Sequence, residues 1–528
     1  MLVDSDWVTA VHQVFRKIDT YSTLFHAIFL LCPPVLITSF VTDATSSSIY
    51  QRTLVSCYGV FYLALALSIV AYRLSPSHPL ARYPGPFWYR TSSFCHAFLS
   101  VSGQRNTYLK ALHERYGDVV RTGRVVYIGA FLGQIFPLVG ISTVEEHVRR
   151  RRAWNRGLGP AALKEYEQLT TQRARQLADA LEQQRRVSLE KWFDYFAYDL
   201  MSDMAFGGGS ELMLEGDKDG VWSILQQGTR AASFFSTVPW LGLCIGKIPV
   251  AVRPLHIFIT HGKEAVVKRM RCGSTTRDLF HYLNNEDLPD KEPAPMQQLV
   301  DDGILAVTAG SDTTASALTS IFFCLLTHPN VYASLCEEVD TFYPKGEDAF
   351  VTKHHGTMPY MNAVINEALR LYAPITTGGS RQVPRESDGV YAGSIYLSAG
   401  TTVYFPAYSL HRDARNFSFP DAFWPERWLI ASGQVALEDA RPPPSSTLKP
   451  TSSKFAHEEI AFIPFSAGPM NCVGRGFAMQ EMRMVLCALA QRFRFRPREG
   501  WDIREYETHY KDYFVSTRPP LPAIVQPR

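Results

Sequence analysis

Two apolar runs near the amino terminus divide this chain before any other feature is weighed. The first runs from Leu24 to Val41 and the second from Leu54 to Tyr72. A helix needs roughly 20 apolar residues to cross a hydrocarbon core, and each run is about that length. The second carries no charge and ends at Arg73. The first contains Pro33 and Pro34. Neither proline has a backbone N–H, so a kink or break is expected there. That run reads as a span, as a re-entrant or interfacial segment, or as a buried core helix. A cleaved secretory signal fits poorly, because Met1–Tyr21 is polar and the apolar run begins late. If both runs cross, the amino terminus and the main body share one side. Arg16 and Lys17 before the first run, and Arg73, Arg82 and Arg90 after the second, outweigh Asp43 and Arg52 between them. That balance puts both flanks on the cytosolic side. Pro76, Pro84 and Pro86 around Gly85 cannot continue a helix and predict a stiff elbow. The expected division is an anchor over residues 1–75, with one or two transmembrane helices, and a body over 76–528.

With 46% apolar and 20% charged residues, the body can form one large core. A net charge of +3 gives no electrostatic case for nucleic acid as a partner. The nine cysteines are odd in number, scattered and without a CxxC pair. They form neither a disulfide framework nor a zinc site, and they suggest a domain facing a reducing compartment. Helical spacing is expected over Asn106–Tyr116, Leu163–Gln184, Leu189–Phe206, Val221–Phe235, Gln297–Thr327 and Phe477–Phe493. Short strands are expected at Asp118–Val120, Val125–Ile128, Val390–Leu397 and Thr402–Phe405, and loops over Phe280–Pro295 and Ala431–His457. The fold class is mainly α with minor β sheets, without internal repeats.

The stretch Phe465-Ser466-Ala467-Gly468-Pro469-Met470-Asn471-Cys472-Val473-Gly474 is the most informative in the body. Two glycines and a proline hold the backbone out of regular structure, and a helix follows. Cys472 is expected on a tight loop before a helix amino terminus, where N–H groups and the helix dipole favour a thiolate. On its own this is compatible with a metal ligand, a nucleophilic cysteine or a plain turn.

The pattern F-x-x-G-x-x-x-C-x-G resembles the cysteine loop of the cytochrome P450 family, and the Gly-Pro-Met-Asn-Cys sequence looks like membrane-bound fungal members. The resemblance implies a cytochrome P450 fold behind a membrane anchor. It implies heme b (iron protoporphyrin IX) with Cys472 as axial thiolate and metal ligand, cradled by Phe465, Gly468 and Gly474. One position departs: where the family usually carries a basic residue for a haem propionate, this chain has Met470. One charge-assisted bond, roughly 1.5–3 kcal/mol, must then come from elsewhere.

Three further stretches follow in family order. Ala309-Gly310-Ser311-Asp312-Thr313-Thr314 lies mid-helix although Gly, Ser, Asp and Thr all lower helix propensity. Back-bonding hydroxyls in a buried helix would explain it blandly. The resemblance makes it the oxygen-binding segment, with Gly310 leaving space beside the iron and Thr313 and Asp312 moving protons. Glu367-Ala368-Leu369-Arg370 puts charges at i and i+3, where a surface pair is worth under about 1 kcal/mol. The family likeness makes Glu367 and Arg370 a buried structural pair closed by Arg427 of Pro425-Glu426-Arg427-Trp428. The run Arg149–Arg152 reads by composition as a solvated face. In the family's terms His147 stands where a Trp is usual, and Arg151 and Arg381 are propionate partners.

The implied activity is monooxygenation: one atom of O2 enters a lipophilic small molecule, a terpenoid or polyketide of fungal secondary metabolism. Only 54 residues follow Gly474, too few for a flavin domain, so electrons would come from NADPH through a separate flavoprotein reductase at the endoplasmic reticulum membrane. Candidate pocket regions are Ile128–Ile141, Phe234–Leu243, Gly303–Ala309, Ile375–Ser380 and Tyr513–Val515. The alternatives are a haem-thiolate isomerase or dehydratase that needs no reductase, a non-catalytic haem-binding protein, and a cysteine-nucleophile enzyme without haem.

Overall fold

The computed structural model describes residues 5–17, 23–42, 47–122, 138–141, 143–274, 277–443 and 455–528. The architecture is mainly helical, with four small antiparallel sheets among the described residues. At its centre lies a 32-residue helix, Met296–Thr327, buried along most of its length. Leu189–Phe206 packs along it, and the contact depends on two missing side chains. A Cβ at Gly303 would lie 2.5 Å from Phe206 Cε1, and one at Gly310 would lie 2.5 Å from Met201 Sδ. Seven residues apart, the two glycines share one helix face and let the backbones approach. Phe322 continues this seam, 5.0 Å from Phe193 and 5.2 Å from Phe495 between ring centroids.

A side chain at Gly310 would be directed at Met201. Met201 fills the room its missing side chain leaves. The residue before it, Ala309, is turned about 100° round the helix and is the exposed one.

Helices Leu189–Phe206 and Val221–Phe235 match the expected bounds. The expected Leu163–Gln184 helix is two, Pro160–Glu165 and Glu167–Gln183, because Tyr166 turns inward at the joint and packs edge-on against Phe477. The expected polar loop from Phe280 begins instead as a helix, Leu279–Leu283. Asp278 caps it by accepting from the His281 N–H, and Leu279, Phe280 and Leu283 enter the core. Asp118–Val120 is not a strand. Val125–Ile128 lies outside the described residues, as does most of the Ile128–Ile141 pocket region. Val390–Leu397 is a hairpin of two strands, Val390–Ala392 and Ile395–Leu397. Thr402–Val403 pairs with Arg381–Gln382.

Among the described residues two helices are long and apolar enough to cross a membrane, Leu24–Val41 and Ser47–Leu74, and the pair Pro239–Ile245 and Pro249–Cys272, bent by 94°, passes the same test only if taken as one span. The expected break at Pro33 and Pro34 does not occur: the helix Thr23–Val41 is continuous. Pro34 leaves the carbonyl of Leu30 without its helical donor. The Tyr62 hydroxyl of the neighbouring helix donates to that oxygen at 3.0 Å, and the Tyr58 hydroxyl donates to Leu31 O at 2.9 Å. A packed partner thus supplies the donor that the proline removed. The second helix ends at Leu74 and its last turn is tied to the body: Arg73 donates to Thr91 O, and Arg121 donates to Arg73 O.

Candidate active site

Cys472 sits at the end of an irregular loop, three residues before the helix Arg475–Arg492. The loop is closed by Cys472 N–H donating to Phe465 O at 2.9 Å and by Asn471 N–H donating to Gly468 O at 3.0 Å. Gly468 has φ +77°, a conformation that favours glycine. Gly474 is not required in the same way, since a Cβ there would stand 3.8 Å from the sulfur, an ordinary contact. The Phe465 ring lies under the Arg475 guanidinium at 5.8 Å.

The Cys472 thiol is exposed. Burial of the surrounding loop pushes its pKa up, while the Gly474 and Arg475 N–H groups and the Arg151 and Arg475 charges pull it down. Burial wins, contrary to the expectation that the loop alone yields a thiolate. A metal cation at the sulfur would reverse that balance, since a coordinating thiol is deprotonated outright.

Basic side chains from two distant segments reach this loop. Arg151 donates to both Asn471 O and Asn471 Oδ1 at 2.8 Å. Arg381 approaches Met470 O and Ser466 Oγ at 3.4 Å. Buried His147 is held below its ordinary pKa by burial and by Arg151 and Arg381. Among the described residues no ion pair joins Arg151 or Arg381 to a carboxylate. Two arginines and an imidazole beside a lone thiol suit a group carrying a metal and two carboxylates, and the donor set fits iron protoporphyrin IX.

The four consecutive arginines separate because each step turns about 100°. Arg149 pairs with Glu146 at the surface, Arg150 is buried against Asp302 at 2.6 Å, Arg151 faces the cysteine loop and Arg152 is exposed. The solvated-face reading therefore holds for Arg149 and Arg152 and fails for Arg150 and Arg151.

On the central helix, Ala309 is exposed and Leu305 and Thr313 are half-buried, as are Ile304, Thr308 and Gly310 beside them. The spacing of four between Leu305, Ala309 and Thr313 makes one open stripe. Thr313 Oγ1 donates to Ala309 O at 2.7 Å, leaving its lone pairs on the open side. Asp312 is buried on another face, where Arg518 Nη1 holds its Oδ1 at 2.7 Å. Arg518 also pairs with buried Asp194. Burial raises Asp194 to about 7; Arg518 opposes this, while Asp312 and Glu190 add to it. The helix after the cysteine reaches the same segment: buried Glu481 lies against Thr314, and burial raises its pKa to about 8.

The structural residues also meet. Glu367 Oε1 and Oε2 accept from Arg370, and Oε1 accepts from Arg427 at 3.0 Å. Trp424 N–H and Trp428 Nε1–H complete the carboxylate, and all three charged side chains are 0% exposed. Sequence reading missed Arg518, Asp194 and Glu481. Arg518 lies 206 residues from Asp312 in an unremarked Thr-Arg-Pro-Pro segment, and no local pattern links them.

Known proteins bear on this geometry. A family model described as cytochrome P450 matches residues 138–525. The cytochrome P450 monooxygenase FCK2 of Fusarium pseudograminearum is 28% identical, covering 98% of this chain and 93% of its own. The cytochrome P450 monooxygenase nodW of Hypoxylon pulicicidum is 29% identical, covering 96% and 93%. The tryprostatin B 6-hydroxylase of Neosartorya fischeri is 27% identical, covering 89% and 86%.

Proposed function

The chain belongs to the cytochrome P450 family and is a haem-thiolate monooxygenase, and on that premise we propose that Cys472 is the iron ligand and Thr313 and Asp312 the proton-handling pair. The observation that carries this reading is one exposed sulfur that receives two backbone amides, on a loop gripped by Arg151 and Arg381 with His147 beside those two arginines. Heme b, when bound, supplies the iron that activates dioxygen.

The protein's own groups do the rest. The Gly474 and Arg475 amides donate to Cys472 Sγ and limit its charge. Arg151, His147 and Arg381 bind the propionates and replace the basic residue absent at Met470. Thr313 Oγ1 holds a proton at the open stripe, and Asp312, fixed by Arg518, stands one residue away to resupply it. Leu305 and Ala309 give that stripe an apolar wall that orients a lipophilic substrate and excludes water.

Electrons come from NADPH through a separate membrane-bound flavoprotein reductase. The two apolar helices anchor the chain in the endoplasmic reticulum with the body facing the cytosol. The substrate is a lipophilic secondary metabolite, and the hydroxylase named among the relatives places tryprostatin B beside terpenoids and polyketides on the panel to be tested.

Two measurements test this. Cys472→Ala is expected to abolish the red-shifted Soret band of the reduced carbon monoxide complex; its persistence would refute the ligand assignment. Co-expression with a reductase, followed by untargeted product analysis over that panel, is expected to give a product one oxygen heavier, dependent on NADPH.

A further inference from the structure

One face of the three-stranded sheet carries charge that the oxygenase reaction does not use. Strand Phe493–Pro497 turns Phe493 and Phe495 into the core and leaves Arg494 and Arg496 exposed. The antiparallel register sets Arg186 and Arg496 on either side of Ile524, and Arg494 opposite Gln526. Opposed residues share a face, so three arginines stand on it together, although like charges at such spacing repel. Arg185, Arg494 and Arg528 line a groove of about 550 Å³ over Ile524 and Gln526. Arg528 is engaged by Asp340 at 2.5 Å, and nearby Arg492 by Asp179 and Glu182. Among the described residues, no ion pair joins Arg185, Arg186, Arg494 or Arg496 to a carboxylate.

We propose that this groove binds a phosphate-bearing ligand, with Arg185 and Arg494 as its direct partners. A guanidinium fork matches phosphate oxygens in bidentate fashion. A concave site with two arginines outside any ion pair, Arg185 and Arg494, offers more donors than a single carboxylate can use, whereas a phosphate with several oxygens can take them. The groove is also separate from the oxygenase centre. The 18-residue helix Arg475–Arg492 leads from the cysteine loop directly into this sheet. That places the groove about 27 Å from Cys472 along the helix axis. Binding here is therefore a distinct event from substrate entry or propionate binding.

The test uses the full-length holoenzyme in nanodiscs of neutral phosphatidylcholine, with two soluble probes titrated calorimetrically. Inorganic pyrophosphate represents a free phosphate compound, and inositol 1,4-bisphosphate represents a lipid headgroup. Saturable binding of at least one probe is expected, weakened tenfold or more in Arg185→Glu/Arg494→Glu. The charge-matched control Arg115→Glu/Arg271→Glu is expected to bind as the unsubstituted protein does. The probe that binds more tightly identifies the source of the phosphate. All four positions are exposed, so the reduced carbon monoxide band should be equal in every variant and reports folding. Absence of binding by both probes, unchanged binding in Arg185→Glu/Arg494→Glu, or an equal loss in the control overturns the proposal.

Discussion

Two buried arginine–carboxylate networks in this protein use the same chemistry in opposite proportions. In one, a single carboxylate, Glu367, lies between two arginines, Arg370 and Arg427. In the other, a single arginine, Arg518, lies between two carboxylates, Asp194 and Asp312. Burial would raise the pKa of Glu367, but Arg370 and then Arg427 override it and hold the group at about 2. Burial also acts on Asp194, and one shared arginine does not overcome it, so that group stands at about 7. The first network keeps its charge at every physiological pH and serves as a fastener. The second includes an acid that exchanges its proton near neutrality, next to the helix that carries Thr313. The ratio of cations to anions, rather than burial itself, separates a structural network from one able to handle protons.

Breaking the fastener should have the largest effect. Arg370 donates to Glu367, His411 O, Pro420 O and Ala422 O. Arg370→Ala leaves three buried carbonyls without a donor and Glu367 with Arg427 as its one remaining cation, at a cost of about 3–5 kcal/mol. The expected outcome is little or no protein with a reduced carbon monoxide band in membranes; a normal yield would mean that the network is dispensable.

The opposite proportions predict opposite pH dependence. Glu367 has a folded pKa below its unfolded value. Its contribution is present above about 4.3 and is lost as the pH falls toward 2, on the order of 3 kcal/mol in all. Asp194 has a folded pKa above its unfolded value of about 3.9. Its protonated form favours the folded state, and that advantage is lost as the pH rises from about 4 to 7. The span is about 4 kcal/mol by linkage. Asp194→Asn should therefore flatten the fall in thermal midpoint between pH 4 and 7 relative to the unsubstituted protein. Parallel curves would show that Asp194 does not titrate there.

Arg518→Met removes the cation from the second network without opening the first. Haem binding should survive, while the fraction of NADPH recovered as product falls several-fold and its pH profile shifts. An unchanged profile would leave Arg518 a packing residue. Thr313→Ala is the mildest in stability, below about 1 kcal/mol, because it removes one partly open hydroxyl whose main-chain bond is dispensable in a helix. It should keep the haem and still uncouple NADPH use from product; intact coupling would count against the proposed role.

Several parts of this were legible in the chain. The helix bounds around Leu189–Phe206 and Val221–Phe235 follow from local periodicity. The irregular loop before Cys472 follows from its glycines and proline, and Glu367 and Arg370 meet because an i, i+3 pair shares a helix face. Other parts were not legible, because they depend on what packs opposite. The Pro33–Pro34 helix stays whole with Tyr62 of a neighbouring helix donating to Leu30 O, the carbonyl that Pro34 leaves without a helical donor. Gly310 packs against Met201 because helix rotation turned it that way. The arginine run splits into four environments for the same reason.

The sequence by itself determined most of the helices and the loop that sets Cys472 apart, since both rest on residues within a few positions of one another. Tertiary structure alone decided which charges are shared and by how many partners. Arg518 and Asp312, or Arg151 and Asn471, are hundreds of positions apart. Coulomb energy and burial depend on distance in space, and nothing in the order of residues records that distance.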